Sequence, residues 1–265
     1  MINPISPYNA CSFNNVSFRA IPLAKYGYLK DKGKEVVVYQ IEKSDIEYIK
    51  HLLKNLNKFF KKYDVDNESA KQVIEEALNA GLAILTQKQH PKDKTRILMA
   101  FYNGEPSSIL IGNALKTDKK GNFHYSSRKN HAQNETELDW LATWNKKIPG
   151  EGQATVYEYF FTLLSDGFKQ CFVRSEIPEK SSAVSFYTKM GFEKLSNKKR
   201  SILRKNDNGY VIGKFDDEAD KIIPMKATVM DIINVIKEKS YSILRKEIKS
   251  NHSCSLPFET FINSR

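Results

Sequence analysis

Between Thr136 and Asp166 the sequence reads as a strand, a glycine-bearing turn and a helix in direct succession, and this unit restricts what the chain can become. Thr136-Glu-Leu-Asp-Trp-Leu-Ala-Thr-Trp144 reads as a strand. Pro149-Gly150-Glu151-Gly152-Gln153-Ala154 follows, and a helix then runs to about Asp166 with Gly167 as its C-cap. Glycines permit positive φ and close backbone approach, while the first turn of a helix offers N–H groups without intrahelical acceptors. Together they suit an anion such as phosphate. No Gly-Lys-Ser/Thr follows, which excludes a Walker A loop, and no third glycine completes a dinucleotide fingerprint. The strand also comes late, after a hairpin, whereas a dinucleotide fingerprint usually opens its fold.

The flanking pattern supplies the architecture. Glu35–Ile41 is a β-branched strand; Ser44 then caps a helix, with Glu47 as the capping-box partner and apolar residues recurring from Ile46 to Phe60. A second helix runs from about Glu68 or Ser69 to Leu78 and ends near Gly81. Arg96–Tyr102 leads through Asn103-Gly104, a hairpin turn signal, into Ser107–Leu115. Lys116 to Asn134 is polar, with Gly121–Tyr125 as a strand extension or flap. After the glycine unit come a strand at Cys171–Ile177, a helix at Ser181–Met190 stopped by Gly191, and a last sheet region among residues 192–227. Met230–Ile248 reads as a basic amphipathic helix, whose commoner uses are packing on its own domain or in a homodimer. The order implies an α/β sandwich. Residues 1–33, rich in Asn, Ser and Pro, read as an N-terminal extension; the core spans 34–228 and the C-terminal helix and tail 229–265.

Charge narrows the partners. The 42 Lys+Arg exceed the 31 Asp+Glu by 11 across 265 residues, which favours something anionic. The basic residues are dispersed, and no zinc-finger, helix-turn-helix or RRM signature accompanies them, so nucleic acid is not expected. No stretch approaches the roughly 20 apolar residues of a membrane helix. The polar start lacks the profile of a signal peptide. Cys11, Cys171 and Cys254 are widely spaced without a neighbouring Cys/His cluster, which argues against both a zinc site and a disulfide framework and fits a reducing cytoplasm.

Two motifs together resemble the GNAT superfamily of N-acetyltransferases. Its Arg/Gln-x-x-Gly-x-Gly/Ala motif is matched at Gly152 and Ala154, with Gly150 at a position where glycine is frequent; Pro149 replaces Arg/Gln. The alternative register Lys147-x-x-Gly150-x-Gly152 restores a polar first residue but fits the helix start less well. About 30 residues on, the family's Asn-x-x-Ala-x-x-Φ-Tyr-x-x-x-Gly-Phe is matched by Ala183, Phe186, Tyr187, Gly191 and Phe192, with Lys180 for Asn. The resemblance covers about residues 34–228. It implies a GNAT-like mixed, mostly antiparallel sheet flanked by helices, and transfer of an acyl group, most commonly acetyl, from acetyl-CoA directly to a primary amine without a metal. Acetyl-CoA is then a co-substrate, and the acceptor a small molecule or a protein. A second reading, a GNAT-fold protein that binds coenzyme A or a partner without chemistry, is kept open by Pro149 and Lys180.

The resemblance also implies roles for particular residues. Main-chain groups of Leu141, Ala142 and Thr143 would meet the pantetheine arm, and Gly150, Glu151, Gly152, Gln153 and Ala154 would cradle the pyrophosphate. Lys180, Ser182 and Phe186 would complete the cofactor contacts, with Lys146 and Lys147 close to the phosphates. Tyr187 stands where many members place the general acid for the leaving thiolate; its bland alternative is a packing aromatic. Glu137 stands where some members hold a base acting through water. Strand alternation puts residues 137, 139, 141 and 143 on one face, which makes Asp139 its rival. His124 and His131 suit an exposed loop better than an acceptor pocket. Cys171 reads as packing rather than as a nucleophile. Trp140 and Trp144 read as packing too, though Trp144 stands at a strand end where it could wall a cleft.

Overall fold

The protein is described by a computed structural model. Residues 20–28, 35–86, 95–117, 123–125, 135–144, 151–176, 183–194, 202–206, 209–213, 222–238 and 243–248 are the ones the structure describes.

The principal sheet is mixed and mostly antiparallel, with helices on both faces. Its strands are β1 (Ile21–Tyr28), β2 (Glu35–Gln40), β3 (Arg96–Tyr102), β4 (Glu105–Thr117), β5 (Phe123–Tyr125), β6 (Glu135–Thr143), β7 (Gln170–Glu176) and β8 (Glu193–Lys194), joined by β11 (Ile222–Thr228) and β12 (Ile243–Glu247). β9 (Ile202–Asn206) and β10 (Gly209–Gly213) form a separate hairpin between β8 and β11. The principal order is β12-β1-β2-β3-β4-β6-β7-β11-β8, with β5 paired to the end of β4. β6 with β7 is the one parallel pair among the described residues.

One face carries α1 (Ile46–Lys54), α2 (Leu56–Lys62) and α3 (Glu68–Thr86). The other carries α4 (Glu151–Ser165), α5 (Ala183–Lys189) and α6 (Val229–Glu238). Each face has its own buried cluster. Ile49, Leu52, Phe59, Leu78 and Ile109 lie in the first, and Leu110, Val156, Phe160, Phe192 and Ile232 in the second.

Glycine and asparagine set several boundaries. Asn103 and Gly104 both take positive φ, 50° and 80°, as a two-residue hairpin of the I′ kind demands. The helical region is capped two residues before Ser44: Glu42 and Asp45 form a capping box around a 3-10 turn at Lys43–Asp45. The helical run to Phe60 is broken at Asn55, whose Nδ2 donates to the His51 carbonyl at 2.9 Å. α3 does not stop at Gly81. It continues to Thr86 because Gly81 faces inward, in ordinary contact distance of Ile97, Ile109 and Ile111.

Two terminal elements depart from the sequence-based expectation. Residues 21–28, within the expected extension, form β1, antiparallel to β2. The expected helix over Met230–Ile248 ends at Glu238, and Ile243–Glu247 forms β12 on the outer edge of β1. Strand pairing outweighs helical periodicity where an open sheet edge is in reach.

Candidate functional site: a gap beside β6

β6 has two neighbours and treats them differently. Its ladder to β4 covers Glu135–Thr143, while its ladder to β7 stops at Leu138↔Val173. β6 then continues through Asp139–Thr143, and β7 through Arg174–Glu176, without a ladder pair between them. A gap therefore opens in the sheet from the middle of β6 upward.

A β-bulge marks where it opens. Trp140 faces Ile111 and Leu138 faces Gly112, so Asp139 is an extra residue on β6. The bulge changes which side chains share a face. Leu138 and Leu141 both pack on the α4 side, whereas Trp140 and Ala142 pack against α1–α3. The simple alternation expected for 137, 139, 141 and 143 is thus broken at Asp139. Glu137 shares its face with Trp140 and Ala142.

The phase of the upper half follows from one hydrogen bond. Trp144 N donates to the opposite Ser107 carbonyl at 3.1 Å, so Trp144, and by alternation Ala142, direct their backbone groups to β4. Leu141 and Thr143 then turn their N–H and C=O the other way, into the gap. Ala142, expected as a main-chain contact alongside them, is instead committed to β4.

The N-terminus of α4 closes the upper end. A Cβ placed on Gly152 would lie 2.9 Å from Thr143 Cγ2, so glycine lets the first helical turn come this close to the strand end without displacing that side chain. N–H groups at the helix start, which have no intrahelical acceptor, thus sit beside the outward groups of Thr143. Ala154 is fully buried beneath. α4 is fixed over the sheet by polar links along its length. The Thr155 and Ser108 hydroxyls are hydrogen-bonded, and Tyr159 Oη meets Thr136 Oγ1 at 2.8 Å. Near its end, Arg96 Nη2 donates to Asp166 Oδ2 at 2.7 Å.

Tyr187 and Glu137 lie on opposite sides of the sheet. Tyr187, on α5, is buried with Phe186 and Phe192, their ring centroids 5.3 and 5.4 Å from its own. Burial, followed by the neighbouring Cys171, raises its pKa, so the phenol stays protonated at neutral pH. Cys171 faces Thr136 across the β6–β7 ladder and is fully buried. Burial raises its pKa as well and keeps the thiol neutral, which suits packing rather than nucleophilic chemistry. Glu137 is fully buried, between Asn113 and Phe172 on the flanking strands.

Other expected residues fall elsewhere. Trp144 is buried rather than lining a cleft: its indole N–H donates to the Pro106 carbonyl at 2.6 Å and its ring meets Phe59 at 5.0 Å. Gln153 stands half-buried in the first turn of α4. Gly150, Lys146, Lys147, Lys180, Ser182, His131 and the side chains of Glu151 and His124 lie outside the described residues. Two residues that sequence reasoning missed, Gly112 and Tyr159, meet at the bulge. A glycine inside an otherwise apolar strand was the available signal. Among the described residues no cluster of His, Cys, Asp or Glu is arranged to hold a metal, and no helix is long and apolar enough to cross a membrane.

No known family profile matches the sequence, and no curated protein matches it. Solved structures do. The chain is similar to the PaiA N-acetyltransferase from Thermoplasma acidophilum in complex with coenzyme A, at 16% identity and a TM-score of 0.42, over 73% of this chain and 98% of that one. It is similar to the GNAT domain of S. lividans PAT, at 10% identity and a TM-score of 0.47, over 77% and 96%. A probable acetyltransferase from Staphylococcus epidermidis is similar at 15% identity and a TM-score of 0.44, over 73% and 98%.

Proposed function

We propose that the chain is an N-acyltransferase of the GNAT type, which moves an acetyl group from acetyl-CoA to a primary amine by direct transfer. One observation carries this reading: the gap between β6 and β7, edged by the backbone groups of Leu141 and Thr143, ends at the glycine-bearing start of α4. An extended arm bearing amides suits the strand edge, and a pyrophosphate suits the helix start. The close approach at Gly152 is the feature of this chain that fits such a donor. Gly150, Glu151, Gln153 and Ala154 would add to the cradle, and Lys180, Ser182 and Phe186 to the flank.

The chemistry divides between the two faces. The amine nitrogen forms a bond to the thioester carbonyl carbon while the C–S bond breaks, so one proton leaves the amine and one reaches the thiolate. Glu137, on the α1–α3 face, takes the first through water. Tyr187, on the α5 face and held neutral by burial, donates the second. The acceptor is an amine on a small molecule or a protein, and the reaction belongs in the cytoplasm, where such donors are made.

The test is calorimetric binding of acetyl-CoA, with coenzyme A as competitor. Gly152→Val, which forces a branched side chain against Thr143, should abolish binding. Tyr187→Phe and Glu137→Gln should bind normally and lose about 100-fold or more in acetyl transfer. Absence of binding to the wild-type protein would overturn the reading. Unimpaired transfer by Tyr187→Phe would remove that residue from the mechanism.

A further inference from the structure

Neither the motifs nor the proposed chemistry involves Tyr159, yet it stands at the point where β6 changes phase. Its phenol lies directly over Gly112, and a Cβ there would overlap the hydroxyl and the ring. Gly112 is the β4 residue at the register shift, opposite Leu138 and next to the extra Asp139. The same hydroxyl is hydrogen-bonded to Thr136, two residues before Leu138 on the bulged strand. Tyr159 is fully buried and its ring is braced edge-on by Phe160, with centroids 5.9 Å apart. One side chain from α4 therefore touches both strands of the ladder at the irregularity.

We infer that Tyr159, with Gly112 as its seat and Thr136 as its partner, is a positioning residue that holds the β6 bulge and so keeps Leu141 and Thr143 turned into the gap. The physical reason is that a bulge costs ladder bonding and persists where surrounding contacts favour it over the regular register. Without the bulge, strand alternation would run unbroken from Glu137. Leu141 would then turn its side chain to the α1–α3 face, and the upper strand would pair with β4 in the opposite phase. Tyr159 stands seven residues after Gly152, about two helical turns or roughly 10 Å along α4. The same helix thus sets the end of the gap with its first turn and the beginning of it with Tyr159. Where this bears on the acyl donor, it rests on the function proposed above.

The experiment has a readout that needs no ligand. Amide hydrogen exchange is followed at residues 139–143 of the full chain in wild type, Tyr159→Phe, Thr136→Val and Thr136→Ser. Acetyl-CoA affinity is measured by calorimetry on the same proteins. Tyr159→Phe and Thr136→Val each remove one side of the hydrogen bond and keep the packing volume. Both should speed exchange at 139–143 and weaken acetyl-CoA binding by about tenfold. Thr136→Ser keeps the hydroxyl and should restore both properties. Asp166→Asn loosens α4 at its far end, lowers Tm, and should leave both unchanged. Unaltered exchange at 139–143 in Tyr159→Phe overturns the inference whatever the ligand does. An effect of Asp166→Asn equal to that of Tyr159→Phe overturns it too, since the role is then only general support of the helix. If wild type fails to bind acetyl-CoA while Tyr159→Phe still speeds exchange, the donor reading falls and the assignment of Tyr159 to the bulge stands.

Discussion

Gly27 and Gly112 are both strand glycines, and their surroundings make opposite demands. A Cβ on Gly27 would meet nothing within 4 Å, whereas one on Gly112 would overlap Tyr159. Gly112→Ala should therefore destabilise the protein by about 3 kcal/mol, the upper range for overpacking a core. Gly27→Ala should be neutral, or stabilise by about 0.5 kcal/mol through the unfolded chain. Urea unfolding of both variants checks the pair, and equal effects would refute it. The sequence makes Gly152 legible because it lies in a recognisable turn. Gly112 escapes such reading because its partner, Tyr159, lies 47 residues on and meets it only once α4 is laid over the sheet. Tyr187 is legible as a residue type at a motif position, and Glu137 as a carboxylate near the start of a strand. Their placement on opposite faces is not, because it depends on which face of the sheet α5 covers, a long-range packing that no local pattern reports.

At the scale of elements, the turns were readable and the terminal strands were not. Asn103-Gly104, Gly167 and Gly191 carry their conformations in their own chemistry, and each takes the positive φ expected of it. β1 and β12 owe their conformation to each other and to β2, which no local pattern reports. β12 is held by more than ladder bonds. Arg245 donates from Nε to Glu158 Oε2 at 2.8 Å and from Nη2 to Oε1 at 3.0 Å, and Tyr26 Oη donates to Oε2 at 2.8 Å. The guanidinium also lies 4.2 Å from the Phe161 ring centroid. Glu158 is almost wholly buried, its side chain 3% exposed, so removing its partner leaves a charge in the core. Arg245→Met should cost about 3 kcal/mol, and adding Glu158→Gln should restore part of the loss. Denaturant melts of the single and double variants test this, and additive losses would show that the pair is not coupled.

The whole molecule conceals several weak acids. Tyr26, Tyr48, Tyr159, Tyr187 and Cys171 all have pKa values raised mainly by burial. In each case the folded state keeps the proton and the unfolded chain releases it, from about pH 8.5 for the thiol and about 10 for the phenols. Their contribution is complete below those values and is lost as pH rises beyond them. Tm should fall progressively between about pH 8.5 and 11, with Cys171→Ala delaying the onset. A flat profile to pH 10.5 would contradict it. The surplus of 11 positive charges adds a separate trend, because titrating lysines at high pH relieves repulsion and softens the fall.

The pairing of β12 with β1 joins segments far apart in sequence, Tyr28 lying opposite Ile243 and Ala24 opposite Glu247. On a ribosome β1 emerges long before its outer neighbour. Its outer edge, and Glu158 with it, therefore lacks the partners that β12 and Arg245 supply until those residues have been made. Such a long-range closure is slow to find and leaves an aggregation-prone edge in the interim. Nascent chains halted before residue 243 are expected to be the form that chaperones bind and proteases cut, and release past Glu247 the event that ends that exposure.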